Sequence, residues 1–142
     1  METTRIPIIN LYDSLIVSIQ VALSDELVRQ LKEDITKGID RSSPRGLILD
    51  ISGVDLMDSY ISRAIRDIGI VARLMGVQTV LCGLDPMIAI SLVEMDLNLE
   101  GVKTTLNLEA AVEFIRNGAV DVQDAQNVGE HGTEEQGRSD TE

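Results

Sequence analysis

The sequence predicts an α/β fold on one mixed, mainly parallel sheet entered through an antiparallel edge, and three features carry that expectation. Leu47-Ile48-Leu49 and Val80-Leu81-Cys82 are continuous apolar runs, as in strands buried on both faces. Between such runs lie segments with apolar residues every three or four positions, the pattern of crossover helices packed on a sheet. Near the start, only Asp13-Ser14 separates two β-branched segments, a gap that suits a hairpin and is too short for a crossover.

Taken in order, Ile6 to Tyr12 reads as a first or edge strand, since Pro7 cannot donate to a ladder. Leu15 to Val21 follows, with Leu15, Val17, Ile19 and Val21 on one face and Ile16, Ser18 and Gln20 on the other. Ser24 caps a helix whose stripe is Leu27, Val28, Leu31 and Ile35, and Gly38 is its expected stop. The turn formers of Asp40 to Gly46 lead into the strand at Leu47, which ends at Asp50. A second helix begins at Ser59 or Tyr60. Its stripe is Ile61, Ile65, Ile68, Ala72 and Met75, widened by Ala64, Val71 and Leu74. Gln78 to Cys82 makes the next strand, Gly83 and Pro86 bracket a turn, and Met87 to Met95 a helix. Val102 to Thr105 makes a last short strand, and Asn107 caps a helix carrying Leu108, Ala111, Val112 and Ile115.

These elements fit one domain over residues 1–116. With 2% aromatic residues and no Trp, its core must be aliphatic. From Asn117 to Glu142 the periodicity gives way to seven acids against Arg138 alone, which reads as a disordered acidic tail holding −6 of the net −12. That charge and the scarcity of rings argue against nucleic acid as a partner. No apolar run is long enough to span a bilayer and no signal peptide or disulfide framework is present, so the cytoplasm is expected. Cys82, the one cysteine, sits in an apolar run and reads as a core residue.

Catalysis has little to work with. His131, the one histidine, falls in the tail, no nucleophile elbow surrounds Ser59, and neither glycine-rich phosphate loop occurs. One Cys and one His cannot build a zinc site, and no carboxylate cluster for a hard cation is displayed, so no metal, cofactor or catalytic residue is expected. A receiver-type aspartate at Asp50 is a further reading. Asp13 alone stands where the paired acids of such a site would be, and turn chemistry accounts for Asp50.

The stretch that organises the chain is Leu47 to Gly76, where strand meets helix at Asp58-Ser59. Asp58 is the expected N-cap, and Ser59 falls in the first turn, where unpaired N–H groups and the positive end of the macrodipole favour an added phosphate. Local sequence also accounts for Ser59 as an alternative cap.

The runs IPIINLYDSLIVSIQVALSD, GLILDISGVDLMDSYIS, ARLMGVQTVLCGLDPMIAISLVEMDL and LEGVKTTLNLEAAVEFI resemble the STAS domain in order and spacing, and within it the RsbS type of stressosome subunit. The resemblance covers about Ile6 to Ile115. It implies a phosphoacceptor at Ser59 supported by Asp58, an RsbT-like serine kinase held by the unmodified protein, an RsbX-like phosphatase, and homo- and hetero-oligomers with RsbR-like STAS subunits. Ser91 matches a second phosphorylatable position of RsbR-like relatives, although a hydroxyl in a packed helix also explains it. Ser62 adds another hydroxyl near Ser59, the ordinary reading of which is a surface serine. The competing expectation is a simple anti-sigma factor antagonist in a small complex with its kinase. The acidic tail departs from the small subunits of this type.

Overall fold

The computed structural model describes residues 6–55, 57–96, 99 and 101–117. β1 (Ile8–Leu11) runs antiparallel to β2 (Ser14–Ser18), with Leu11 opposite Ser14. The turn between them is Tyr12-Asp13, both at positive φ (51° and 63°), the conformation that matches strand twist in a two-residue hairpin. The turn thus lies one residue earlier than Asp13-Ser14, and Ser14 is the first residue of its strand. Both strands are shorter than Ile6–Tyr12 and Leu15–Val21, and Val21 is exposed.

α1 (Asp25–Ser42) starts as expected, with the Leu27 N–H donating to Ser24 Oγ at 3.2 Å. It does not stop at Gly38. Val28, Leu31, Ile35 and Ile39 are all buried, so the stripe carries the helix past the glycine until Ser43 turns left-handed (φ 45°) and donates its N–H to the Ile39 carbonyl. The lack of a side chain at position 38 makes room for Leu15, whose Cδ1 lies 3.0 Å from where a Cβ would stand.

β3 (Gly46–Asp50) and β4 (Gln78–Cys82) pair in parallel, and β5 (Val102–Thr105) closes a five-stranded sheet whose spatial order follows chain order, β1-β2-β3-β4-β5. Between them lie α2 (Ser59–Leu74) and α3 (Pro86–Glu94), and α4 spans residues 108–117 after β5. The mainly parallel sheet, antiparallel edge and crossover helices agree with the sequence reading. In α2 the buried stripe is narrower: Ala64, Ile65, Ile68 and Ala72 are buried, whereas Leu74 is 82% exposed and Val71 and Met75 also face outward.

Register explains the two-sided core. Leu15, Val17, Leu47, Leu49 and Leu81 point to the face covered by α1, α2 and α3. Ile16, Ile48 and Val80 form a row across three strands on the other face, where Ala111 and Ile115 of α4 cover them with Cys82. Asn107 Oδ1 accepts the Ala110 N–H at 2.9 Å, the cap expected for α4. Asn117 belongs to this helix and not to the tail, and the remainder of the expected acidic tail, residues 118–142, lies outside the described residues.

Candidate functional site

The parallel strands all end at one pole, and α1, α2 and α3 all begin there. β3 stops at Asp50, whose Oδ1 accepts the Ser52 N–H at 3.0 Å, so this carboxylate is spent on a turn. The next loop is met by Gly83 from the loop after β4. Its φ of 77° and the 2.8 Å between a hypothetical Cβ and Ser52 Cβ make glycine necessary at this contact. The two loops that launch α2 and α3 are therefore seated against each other.

Asp58 caps α2, accepting the Ile61 N–H on Oδ1 at 2.8 Å. Its carbonyl accepts both the Ser62 N–H at 3.1 Å and Ser62 Oγ–H at 2.9 Å. Ser62 is 2% exposed, so the expectation of a surface serine is corrected: it is a buried strut under the cap. Ser59, between the cap and the strut, is half-buried and its Oγ bonds to no other described residue. The N–H groups of Ser59 and Tyr60 likewise have no acceptor among the described residues. A phosphate on Ser59 Oγ would meet these two donors and Arg63, one turn along on the exposed surface, together with the adjacent Asp58 carboxylate that repels it.

Tyr60 is a neighbour that sequence reading missed. Its hydroxyl is held above its ordinary pKa first by desolvation and then by the Asp25 carboxylate, which brings the starts of α1 and α2 side by side. Periodicity treats both as surface residues, and only the parallel topology brings them together. Lys32 and Asp67, 3.6 Å apart, repeat the link further along the same helices. A groove of about 330 Å³ lined by Gln20, Leu23, Gly53, Val54, Asp55 and Ile61 opens beside the first turn of α2.

Ser91 is not brought to this turn's cap. It lies in the second turn of α3, half-buried, with Oγ–H donated to the Met87 carbonyl at 3.0 Å. Helix α3 has its own cap, Asp85, which accepts the Met87 N–H at 2.7 Å. Cys82 is fully buried in β4, and burial followed by the Asp50 carboxylate pushes its thiol up to about 11, the behaviour of a core residue. Among the described residues no cluster of three His, Cys, Asp or Glu side chains could hold a metal, and no helix is long and apolar enough to cross a membrane.

The STAS domain model matches residues 3–111, nearly all of the described fold. The chain belongs to the STAS-domain family. Among solved structures it is similar to Moorella thermoacetica RsbS bearing a serine-to-glutamate substitution, at 36% identity and a TM-score of 0.72, covering 82% of this chain and 98% of that one. A chain from the structure titled "Molecular architecture of the stressosome, a signal integration and transduction hub" is similar at 37% identity and a TM-score of 0.70, with 80% and 98% covered. The RsbT co-antagonist protein RsbRA of Bacillus subtilis is 25% identical over 114 residues, 80% of this chain but only 42% of that relative.

Proposed function

We propose that this STAS protein is a non-catalytic switch and scaffold subunit of a stressosome-type complex. Unmodified, it sequesters a serine kinase of the RsbT type; phosphorylation of Ser59 releases the kinase. The observation that carries the reading is the state of Ser59: a half-buried hydroxyl, bonded to no other described residue, in the first turn of α2 between a cap and a buried strut. The likeness to RsbS and to a stressosome chain over nearly their full lengths supports the same reading, as does the serine-to-glutamate change in that RsbS, which places negative charge where a hydroxyl stood. RsbR-like STAS subunits are the proposed co-assembly partners and an RsbX-like phosphatase the resetting enzyme, all in the cytoplasm.

The switch is local electrostatics. Phosphate adds about −1.5 to −2 charge at a surface that packs against the kinase, introducing desolvation cost and repulsion beside Asp58 without breaking the helix. Asp58 supports the acceptor by fixing the first turn. Ser91 is the second hydroxyl offered to such a kinase, at the cost of its bond to Met87.

Incubation with an RsbT-type kinase and ATP, followed by mass spectrometry, should place the phosphate on Ser59, and Ser59→Ala should abolish most of it. Efficient modification that persists in Ser59→Ala sinks the assignment. Light scattering after mixing with an RsbR-like subunit should give assemblies far larger than a kinase pair; small complexes alone would favour the simple anti-sigma factor antagonist.

A further inference from the structure

At the pole opposite Ser59, where the parallel strands begin, register gathers stretches that lie far apart in sequence. Gly46 stands beside Gln78 and Thr79 beside Val102, so the residues that open β3, β4 and β5 form a row. The Gln78 N–H reaches the Arg45 carbonyl at 3.5 Å. Helix α2 runs into β4 with only Met75, Gly76 and Val77 between them, and the Ala72 carbonyl accepts the Val77 N–H at 2.8 Å. The result is a cleft of about 560 Å³ lined by Arg45, Arg73, Gly76, Gln78, Gly101 and Lys103.

Three cations thus arrive from three elements: Arg45 precedes β3, Arg73 stands in the last turn of α2, and Lys103 is the second residue of β5. No acid is among the lining residues, and neither ion pair found among the described residues involves these cations. Like charges brought together repel, and in a chain of net charge −12 the gathering runs against composition. Arg73 shows how the cleft is built. A Cβ placed on Gly101, whose φ is 80°, would lie 3.4 Å from Arg73 Nη1 and 3.5 Å from both Cζ and Nη2. Near-equal distances to three atoms of a planar group put that point above its flat face. The glycine therefore takes the face of the guanidinium and leaves open the edge that carries its N–H donors, which have no acceptor among the described residues. Lys103 is steadied differently, its ammonium 5.2 Å from the centre of the Phe114 ring of α4.

We infer that this cleft binds a small molecule carrying two linked phosphoryl groups. Guanidinium edges meet phosphoryl oxygens through paired N–H donors, a geometry that a point charge cannot offer. Three separate cations, and a volume within the range of small-ligand sites, suit a diphosphate better than a single phosphate. No ring lines the cleft and its apolar lining is Val77 and Val102, so the phosphoryl groups are what it recognises. A ligand bridging the cations ties the start of β3 to the end of α2 and to β5, and so stabilises the fold as its concentration passes the dissociation constant. The cleft lies away from Ser59, and the inference is independent of the role of that serine.

Pyrophosphate is the probe, titrated into the isotope-labelled full chain at a fixed ionic strength of about 0.1 M, with orthophosphate and citrate run alongside. Amide signals of residues 45, 73, 76, 78 and 101–103 should shift and saturate while those of residues 59–62 stay in place, and the melting temperature should rise with pyrophosphate. Pyrophosphate should bind at least about threefold more tightly than either of the others. Arg45→Gln and Arg73→Gln, both at exposed positions, should each weaken it about threefold and together about tenfold, and Arg73→Lys should also weaken it, since it keeps the charge and loses the planar edge. The comparison of anions on the unaltered chain does not depend on how the variants fold. Shifts centred on residues 59–62 or spread over the surface overturn the inference, and so does affinity that survives the double substitution. Equal binding of citrate overturns it as well, because the cleft then reads charge alone, and displacement of pyrophosphate by an equal concentration of a phosphoserine peptide does so by moving the phosphoryl source to a protein.

Discussion

Thr79 is 1% exposed in β4, and its hydroxyl has no partner among the described residues. A buried unsatisfied hydroxyl costs about 1–3 kcal/mol, and valine is nearly its isostere in a strand. Thr79→Val should therefore raise the melting temperature, by roughly 4 °C or more for each kcal/mol regained; a lower midpoint would mean that the hydroxyl is bonded. Three positions along the same strand, Cys82 makes a pH prediction. Its thiol titrates near 9.0 when unfolded and at about 11 when folded, because burial disfavours the thiolate and Asp50 repels it. As pH rises through 9 the unfolded chain loses its proton first, so stability falls until about pH 11, with a slope of at most roughly 1.4 kcal/mol for each step of one in pH. Thermal melts of wild type and Cys82→Ala across that window should differ in slope, and equal slopes would leave the thiol without a part in alkaline unfolding. At the site, Asp58→Ala removes a cap and should cost about 1 kcal/mol; if Ser59 is the acceptor we propose, the same change should slow its modification by an RsbT-type kinase, because the turn is no longer pinned.

Elements were legible in the sequence wherever periodicity and burial agree. β4 and β5 have the predicted bounds, Asp58 and Asn107 cap as expected, and the two-faced pattern of β2 sorts its side chains correctly between the two cores. Misreadings arise where tertiary contact outweighs a local signal. Gly38 reads as a stop, yet Ile39 extends the buried stripe and the glycine is needed for Leu15. Leu74 reads as core when it is counted with the stripe, but it stands one turn on from exposed Ile70, on the outward face of α2, while Ala72 on the opposite face is buried. Ser62 reads as surface because a hydroxyl says nothing of the carbonyl it will bond. Of the glycine contacts among the described residues, the tightest is Gly46 against Ile115. Gly46→Ala should force α4 away from β3 at a cost of about 1–3 kcal/mol, and Ile115→Ala in the same chain should recover part of it, since contacting residues couple. Additive losses would show that the helix does not seat there.

On the scale of the molecule, topology gathers what sequence order scatters. Asp25, Asp55, Asp58 and Asp85 start helices or precede them at the Ser59 pole, while Arg45, Arg73 and Lys103 meet at the other. Such an arrangement is invisible until the strands are known to be parallel. We propose that residues up to 117 carry the fold and that Gly118 to Glu142 add little to its stability, since that stretch offers few apolar residues to offset an ordering cost of about 1–2 kcal/mol per residue. Deletion of that segment should move the melting temperature by no more than a few degrees, a change of roughly 1 kcal/mol or less; a large drop would put part of the core there. The coincidence of strand order with chain order bears on how the protein is made. Each strand pairs with its predecessor in sequence, so the sheet can grow from the amino end as the chain leaves the ribosome, without waiting for distant partners. Among the described residues, the face bearing Ile16, Ile48 and Val80 is closed by α4. Until residues 108–117 emerge, the nascent chain carries an aliphatic stripe across three strands, and that interval is when a chaperone has most to offer it.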